Sequence, residues 1–236
     1  MKHLYLWIDI SAIIVPFIAS FHPRVKFYKV WGVVFLAMLL SGTLFILWDI
    51  GFTQAGVWGF NPSYISGIYC FYLPVEEVLF FLCIPYACTF SYHCLTLFWP
   101  HKSFSPKISS FISWVLITGG LIVSISFFRY KYTSATFLLL ALFIMYVRNK
   151  SWVGHFYFCY SLLLIPFIII NGLLTGSCLE APVVWYNSHE IIGWRILTIP
   201  VEDVFYGLVL IGSQIVFYEL FARERWISEC RQVTHS

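Results

Sequence analysis

The stretch Leu73-Pro74-Val75-Glu76-Glu77-Val78-Leu79-Phe80-Phe81 sets two adjacent carboxylates at the head of a long apolar segment, and it recurs. The second copy reads Ile199-Pro200-Val201-Glu202-Asp203-Val204-Phe205-Tyr206. One ungapped shift of 126 positions lays Pro74 on Pro200, Glu76 on Glu202 and Glu77 on Asp203. The same shift lays Phe60-Asn61 on Tyr186-Asn187 and Gly67 on Gly193. Apolar periodicity alone cannot match Asn, Gly, Pro and acidic positions in one register, so the chain carries a duplicated unit.

A unit of this composition belongs in a bilayer. Of the 236 residues, 60% are hydrophobic and 11% charged, with a mean hydropathy of +0.83. A soluble domain carries about 25% charged residues. The net charge of +3 and the lack of a basic run argue against nucleic acid as a partner. The seven cysteines (70, 83, 88, 94, 159, 178 and 230) form neither a CxxC pair nor a zinc spacing, and read as small buried apolar residues.

A span needs about 20 apolar residues. Seven segments meet or approach that length, near 4–20, 30–48, 74–98, 108–128, 132–147, 153–174 and 200–221, the fifth being short. The first contains Asp9 and lacks a small-residue cleavage site, so it reads as a span rather than a signal peptide. Arg24, Lys26, Lys29, Lys102, Lys107, Arg148, Lys150, Arg223, Arg225 and Arg231 fall on one side of these spans. Lys2, Arg129, Lys131 and Arg195 fall on the other. The positive-inside rule then predicts an outer N-terminus and a cytoplasmic C-terminus in a multi-pass protein of the cell membrane.

Spans one to three match spans five to seven, and the fourth is left as a linker. Four crossings separate each residue from its copy, so both copies keep the same orientation about a pseudo-two-fold axis along the membrane normal. The expected fold is an all-α integral membrane protein of seven transmembrane helices, a 3+1+3 parallel internal repeat. Its divisions are 1–100, the linker 101–130, and 131–236. Glu76, Glu77, Glu202 and Asp203 then lie at one depth near the outer boundary and converge on one pocket.

Pro at a helix start followed by Glu is common, and the helix dipole favours it by about 0.3–1 kcal/mol. One such acid would need no further explanation. Two adjacent acids, repeated in register in a chain with eleven in all, fit that reading less well. Acids at the hydrocarbon boundary are costly and mark function. Neighbours on a helix point about 100° apart, so one acid of each pair faces the pocket and the other braces a loop or helix, with Glu77 and Asp203 slightly favoured for the pocket.

The outer connections, 49–73 and 175–199, carry Trp58, Tyr64, Tyr69, Tyr72, Trp185, Tyr186 and Trp194. Aromatics there are also ordinary interfacial anchors. Asn61 and Asn187, each 13 residues before its proline, are expected to cap a turn that folds the loop back toward Pro74 and Pro200. Asn171 and Asp49 read as residues that satisfy helix ends. His93, His155 and His189 are isolated and point to no metal site. Pro16, Pro85 and Pro166 lie inside spans, where membrane helices tolerate them.

The doubled motif, Pro74-Val75-Glu76-Glu77 and Pro200-Val201-Glu202-Asp203, resembles that of the membrane-integral lycopene cyclases: the heterodimeric bacterial, fused archaeal and fungal bifunctional types. Tyr186-Asn187 and its counterpart Phe60-Asn61 resemble the family's preceding element, and the resemblance covers essentially the whole chain. It implies two fused cyclase domains that convert linear lycopene to a cyclised carotenoid, β-carotene, with no cofactor and no metal. It names lycopene and the bilayer as partners and leaves room for contact with other carotenoid enzymes.

The residues fit that chemistry. An acid protonates a terminal double bond, the chain attacks the resulting cation, and a base removes a proton. Paired carboxylates in low dielectric can act as donor and acceptor. Glu76, Glu77, Glu202 and Asp203 are the expected catalytic groups. Phe80, Phe81, Phe205 and Tyr206, about one turn on, are expected to line the site and stabilise the cation through cation–π contact, with Asn61 and Asn187 also binding substrate. A small-solute transporter of 3+1+3 type shares the repeat plan, but would place its polar groups at mid-membrane. An intramembrane prenyltransferase would want Asp-rich clusters, and this chain has three Asp.

Overall fold

Proline at the head of each apolar run sets where the helices begin. Pro74 is extended (φ −63°, ψ 149°), Val75 starts the helix behind it, and Glu76 and Glu77 fill the first turn. Glu202 and Asp203 fill the first turn of the second copy. The computed structural model describes residues 2–233, with side chains through residue 222. Cys230 and the tail cations Arg223, Arg225 and Arg231 therefore have side chains outside the described residues.

The chain forms α1 (Leu4–Ala19), α2 (Trp31–Gln54), α3 (Val75–Phe98), α4 (Pro106–Ser126), α5 (Lys131–Val147), α6 (Val153–Leu174) and α7 (Val201–Val233). Five of these, α2, α3, α4, α6 and α7, are long and apolar enough to cross a bilayer. The first helix of each half, α1 with 16 residues and α5 with 17, is shorter. Large apolar side chains point outward, among them Leu39, Leu47, Phe111, Ile122 and Ile165, as lipid requires. The protein is an all-α membrane protein.

Six short strands lie in the two long connections: β1 (Trp58–Phe60), β2 (Tyr69–Cys70), β3 (Leu73–Pro74), β4 (Val184–Tyr186), β5 (Arg195–Ile196) and β6 (Ile199–Pro200). β2 and β3 form a tight hairpin, and so do β5 and β6. The hairpins turn at Phe71 (φ 56°) and Leu197 (φ 58°), and Gly67 and Gly193 each adopt φ 86°. β1 and β4 pair antiparallel, Trp58 opposite Tyr186, and tie one connection to the other. The backbone bonds obey the two-fold: Asn61 N–H donates to Val183 O and Asn187 N–H to Val57 O, both at 2.8 Å. Val75 N–H to Ile68 O and Val201 N–H to Trp194 O repeat the same step in each half.

Packing follows the duplication. α1 lies on α3 as α5 lies on α7, while α2 packs on α7 and α6 on α3, so each half completes the other. Ser41 of α2 donates to Gln214 of α7 at 2.7 Å in this buried seam. α4 sits outside the repeat, against α5 and α6.

Three expectations change. α2 runs to Gln54 rather than stopping near residue 48, so Asp49 does not close a span but lies buried inside one. The asparagine side chains do not bond near Pro74 and Pro200. Asn61 Oδ1 accepts from Ser63 N–H, Asn187 Oδ1 accepts from His189 N–H, and Asn187 Nδ2 donates to Gly56 O of the other half. Two cysteines, Cys70 and Cys178, are exposed in the connections rather than buried.

The α4–α5 contact generates a paired prediction. A Cβ on Gly120 would lie 2.9 Å from Phe137 O, whereas one on Gly119 would meet nothing within 4 Å. Gly120→Val should cost about 1–3 kcal/mol through overpacking. Gly119→Val carries the same helix-propensity change and should stay within about 0.5 kcal/mol of the parent. Thermal unfolding of the two variants in detergent checks the difference.

Candidate active site

Two acids side by side on one helix turn cannot share a direction, and the structure resolves each pair the same way. Glu77 accepts from Tyr5 O–H at 2.6 Å. Asp203 accepts from Tyr132 O–H at 2.6 Å on one oxygen and from Tyr186 O–H at 2.9 Å on the other. Their neighbours turn to the two long connections. Glu76 accepts from Ser66 N–H at 2.6 Å, and Glu202 accepts from Ile192 N–H at 2.8 Å and Thr133 O–H at 2.5 Å. All four carboxylates are buried, none more than 8% exposed.

Glu77 and Asp203 line one cavity of about 240 Å³, and Asp49 lines it too, next to Trp58. Glu76 and Glu202 do not reach it. Phe80, Phe81 and Tyr206 form part of its wall. Phe205 instead packs on Phe137, with ring centroids 4.8 Å apart, and neither Asn61 nor Asn187 is in the wall. Asn171, read from sequence as a helix-end residue, does line the cavity while donating to Phe167 O.

The acid end is an aromatic enclosure. Tyr132 meets Trp58 edge-on at 5.0 Å and stacks with Tyr186 at 5.9 Å. Tyr5 meets Phe80 at 6.3 Å. Ring faces offer negative potential to a cation. Tyr186 lies in β4, outside the spans. Burial raises its phenol well above the usual 10, and Asp203 pushes the same way, so it remains a hydrogen-bond donor.

The halves differ at this point. Phe60 occupies the position of Tyr186, so Glu77 receives one phenol where Asp203 receives two. Asp9 is also buried, with neither carboxylate oxygen hydrogen-bonded, one turn beyond Tyr5 on α1. Tyr5 and Tyr132 were missed in the sequence because the ungapped shift lays Tyr5 on Lys131. A one-residue gap ahead of the outer connection aligns them, and a tyrosine near the start of each short helix was the available signal.

A family model described as Lycopene cyclase matches residues 2–95 and 129–221. No curated protein and no solved structure gives a match.

The bracing acids yield their own test. Removing the acceptor from Ile192 N–H leaves a buried donor unpaired, at a cost of about 1–3 kcal/mol. Glu202→Ala should therefore speed proteolytic cleavage between residues 187 and 198. Glu202→Gln, which retains an acceptor oxygen, should restore most of the resistance.

Proposed function

Because the chain belongs to the lycopene cyclase family, we propose that it converts linear lycopene to β-carotene by acid–base catalysis, with Glu77 and Asp203 as the reacting carboxyl groups. The observation that carries this reading is their shared position: the second acid of each repeated pair lines a single aromatic cavity, while the first is turned away.

The reaction is an isomerisation with no change in electron count. Glu77 gives its proton to a terminal carbon–carbon double bond. The cation that forms is attacked by the next suitably placed double bond, closing a six-membered ring. Asp203 takes a proton from the carbon beside the new cation, leaving the ring double bond. The proton given and the proton taken balance, and exchange with solvent resets both acids. Tyr132 and Tyr186 engage both oxygens of Asp203, which orients them as an acceptor. Tyr5 engages one oxygen of Glu77 and leaves the other for the cavity. Phe80, Phe81 and Tyr206 shield the cation.

Residues 1–100 and 131–236 act in this reading as two cyclase repeats, joined by the linker of 101–130. The cation distribution supports an outer N-terminus and a cytoplasmic C-terminus in the cell membrane.

Expression in lycopene-accumulating bacteria, with pigment analysis, tests the reading. Cyclised product with β-rings is expected from the parent chain. Glu77→Gln and Asp203→Asn keep shape and hydrogen bonds but cannot exchange a proton with carbon, so product should fall about 10²-fold or more at equal membrane abundance. Glu76→Gln and Glu202→Gln should lose far less. Four abundant variants with near-full activity would show the motif to be structural.

A further inference from the structure

The cavity extends well beyond the acids. On α3 its wall runs from Glu77 through Phe81, Ile84 and Cys88 to Ser91, one continuous helix face. At 1.5 Å per residue, Glu77 to Ser91 spans about 21 Å. On α6 it runs from Leu174 to Tyr160, a similar length, and Pro16 of α1 borders the far end. All three carboxylates in the wall, Asp49, Glu77 and Asp203, belong to the near end, where Asp49 and Asp203 are the titratable neighbours of Glu77. Beyond them the wall is apolar apart from Ser91, Asn171 and a few phenol and hydroxyl groups.

We infer that this is a one-ended channel for a linear polyene hydrocarbon, in which one terminus meets both acids while the tail lies along α3 and α6, so that each binding event closes one ring. The inference rests on the proposed cyclase reading and adds how the substrate sits. An extended chain advances about 1.2 Å per bond, the spacing behind roughly 3.3–3.6 Å per extended residue. A channel of about 21 Å then holds roughly 17 bonds, about half the main chain of a forty-carbon carotenoid. The second terminus stays outside, beyond reach of any carboxylate in the wall. The geometry follows from the duplication. Parallel repeats place Glu77 and Asp203 at one end of one cavity, whereas an inverted repeat would have put an acid at each end. A second ring therefore requires release of the monocyclic molecule and re-entry in the reverse direction.

A time course with the full-length protein in lycopene-loaded vesicles tests this. Free monocyclic carotenoid should appear first and exceed the molar amount of enzyme, whether or not a bicyclic product follows. Bicyclic product without a lag, with monocyclic species never exceeding the enzyme, would overturn the one-ended channel while leaving the cyclase reading intact. No cyclised product of any kind would instead overturn the cyclase reading, and this inference with it. Ala87 faces the channel about 15 Å below Glu77, whereas Leu82 is exposed on the outer face of the same helix. Ala87→Trp should lower ring formation about tenfold or more at equal membrane abundance, and Leu82→Trp should match the parent. Full activity in Ala87→Trp would also overturn the channel.

Discussion

A carboxylate inside a membrane has no water to satisfy it, and that constraint governs the half of this protein that carries the two long connections. Each of the four acids at the helix starts must find donors within the fold. Two find them in the backbone of the long connections, Glu202 with Thr133 O–H besides, and two in phenols carried by α1, α5 and β4. The connections are thereby pulled down onto the helix ends. Their antiparallel pairing through β1 and β4 then locks one half against the other. Had the acids been exposed to water, nothing would oblige the loops to fold inward or the tyrosines to sit where they do.

The same arrangement separates two jobs within one dipeptide. The first acid of each pair, Glu76 or Glu202, fixes the backbone of the loop above. The second, Glu77 or Asp203, is left facing an apolar cavity. The roughly 100° step between adjacent helix residues makes this division automatic, provided the helix begins at the same residue in both copies. Pro74 and Pro200 secure that register. One difference between the halves, Phe60 against Tyr186, gives the two cavity acids unequal hydrogen bonding. In the proposed reaction this inequality would distinguish the donor from the acceptor.

Much of this was legible in the sequence. The repeated Pro-Val-Glu-acid run gave the duplication, its register and the parallel sense of the halves, because matched polar positions survive where apolar ones are interchangeable. The helix pattern followed from hydropathy. What hydropathy could not show was Asp49. A charge after an apolar run reads as a span's end, yet α2 continues through Phe52, whose ring stacks on Trp48 at 4.6 Å. Tyr5 and Tyr132 were hidden by a one-residue offset between the repeats. The asparagines were correctly singled out as matched. Their side-chain oxygens close local turns, but their backbone N–H groups and Asn187 Nδ2 bond to the opposite half, and no local pattern reveals a contact as remote as Asn187 to Gly56. Phe205 shows the limit of proximity in sequence: it follows the acid motif closely but faces α5.

Taken together, the site is an aromatic cavity lined by Asp49, Glu77 and Asp203, walled at that end by the two long connections and continued by an apolar wall along α3 and α6. In the proposed reaction a proton reaches carbon from a carboxyl group and is replenished from solvent between turnovers. The direct measurement is mass analysis of the carotenoid formed by membranes equilibrated in deuterium oxide and then supplied with unlabelled lycopene. Proton donation from an exchangeable acid predicts one deuterium in each newly closed ring, with incorporation and product lost together in Glu77→Gln. Cyclised carotenoid formed at the normal rate without deuterium would contradict it.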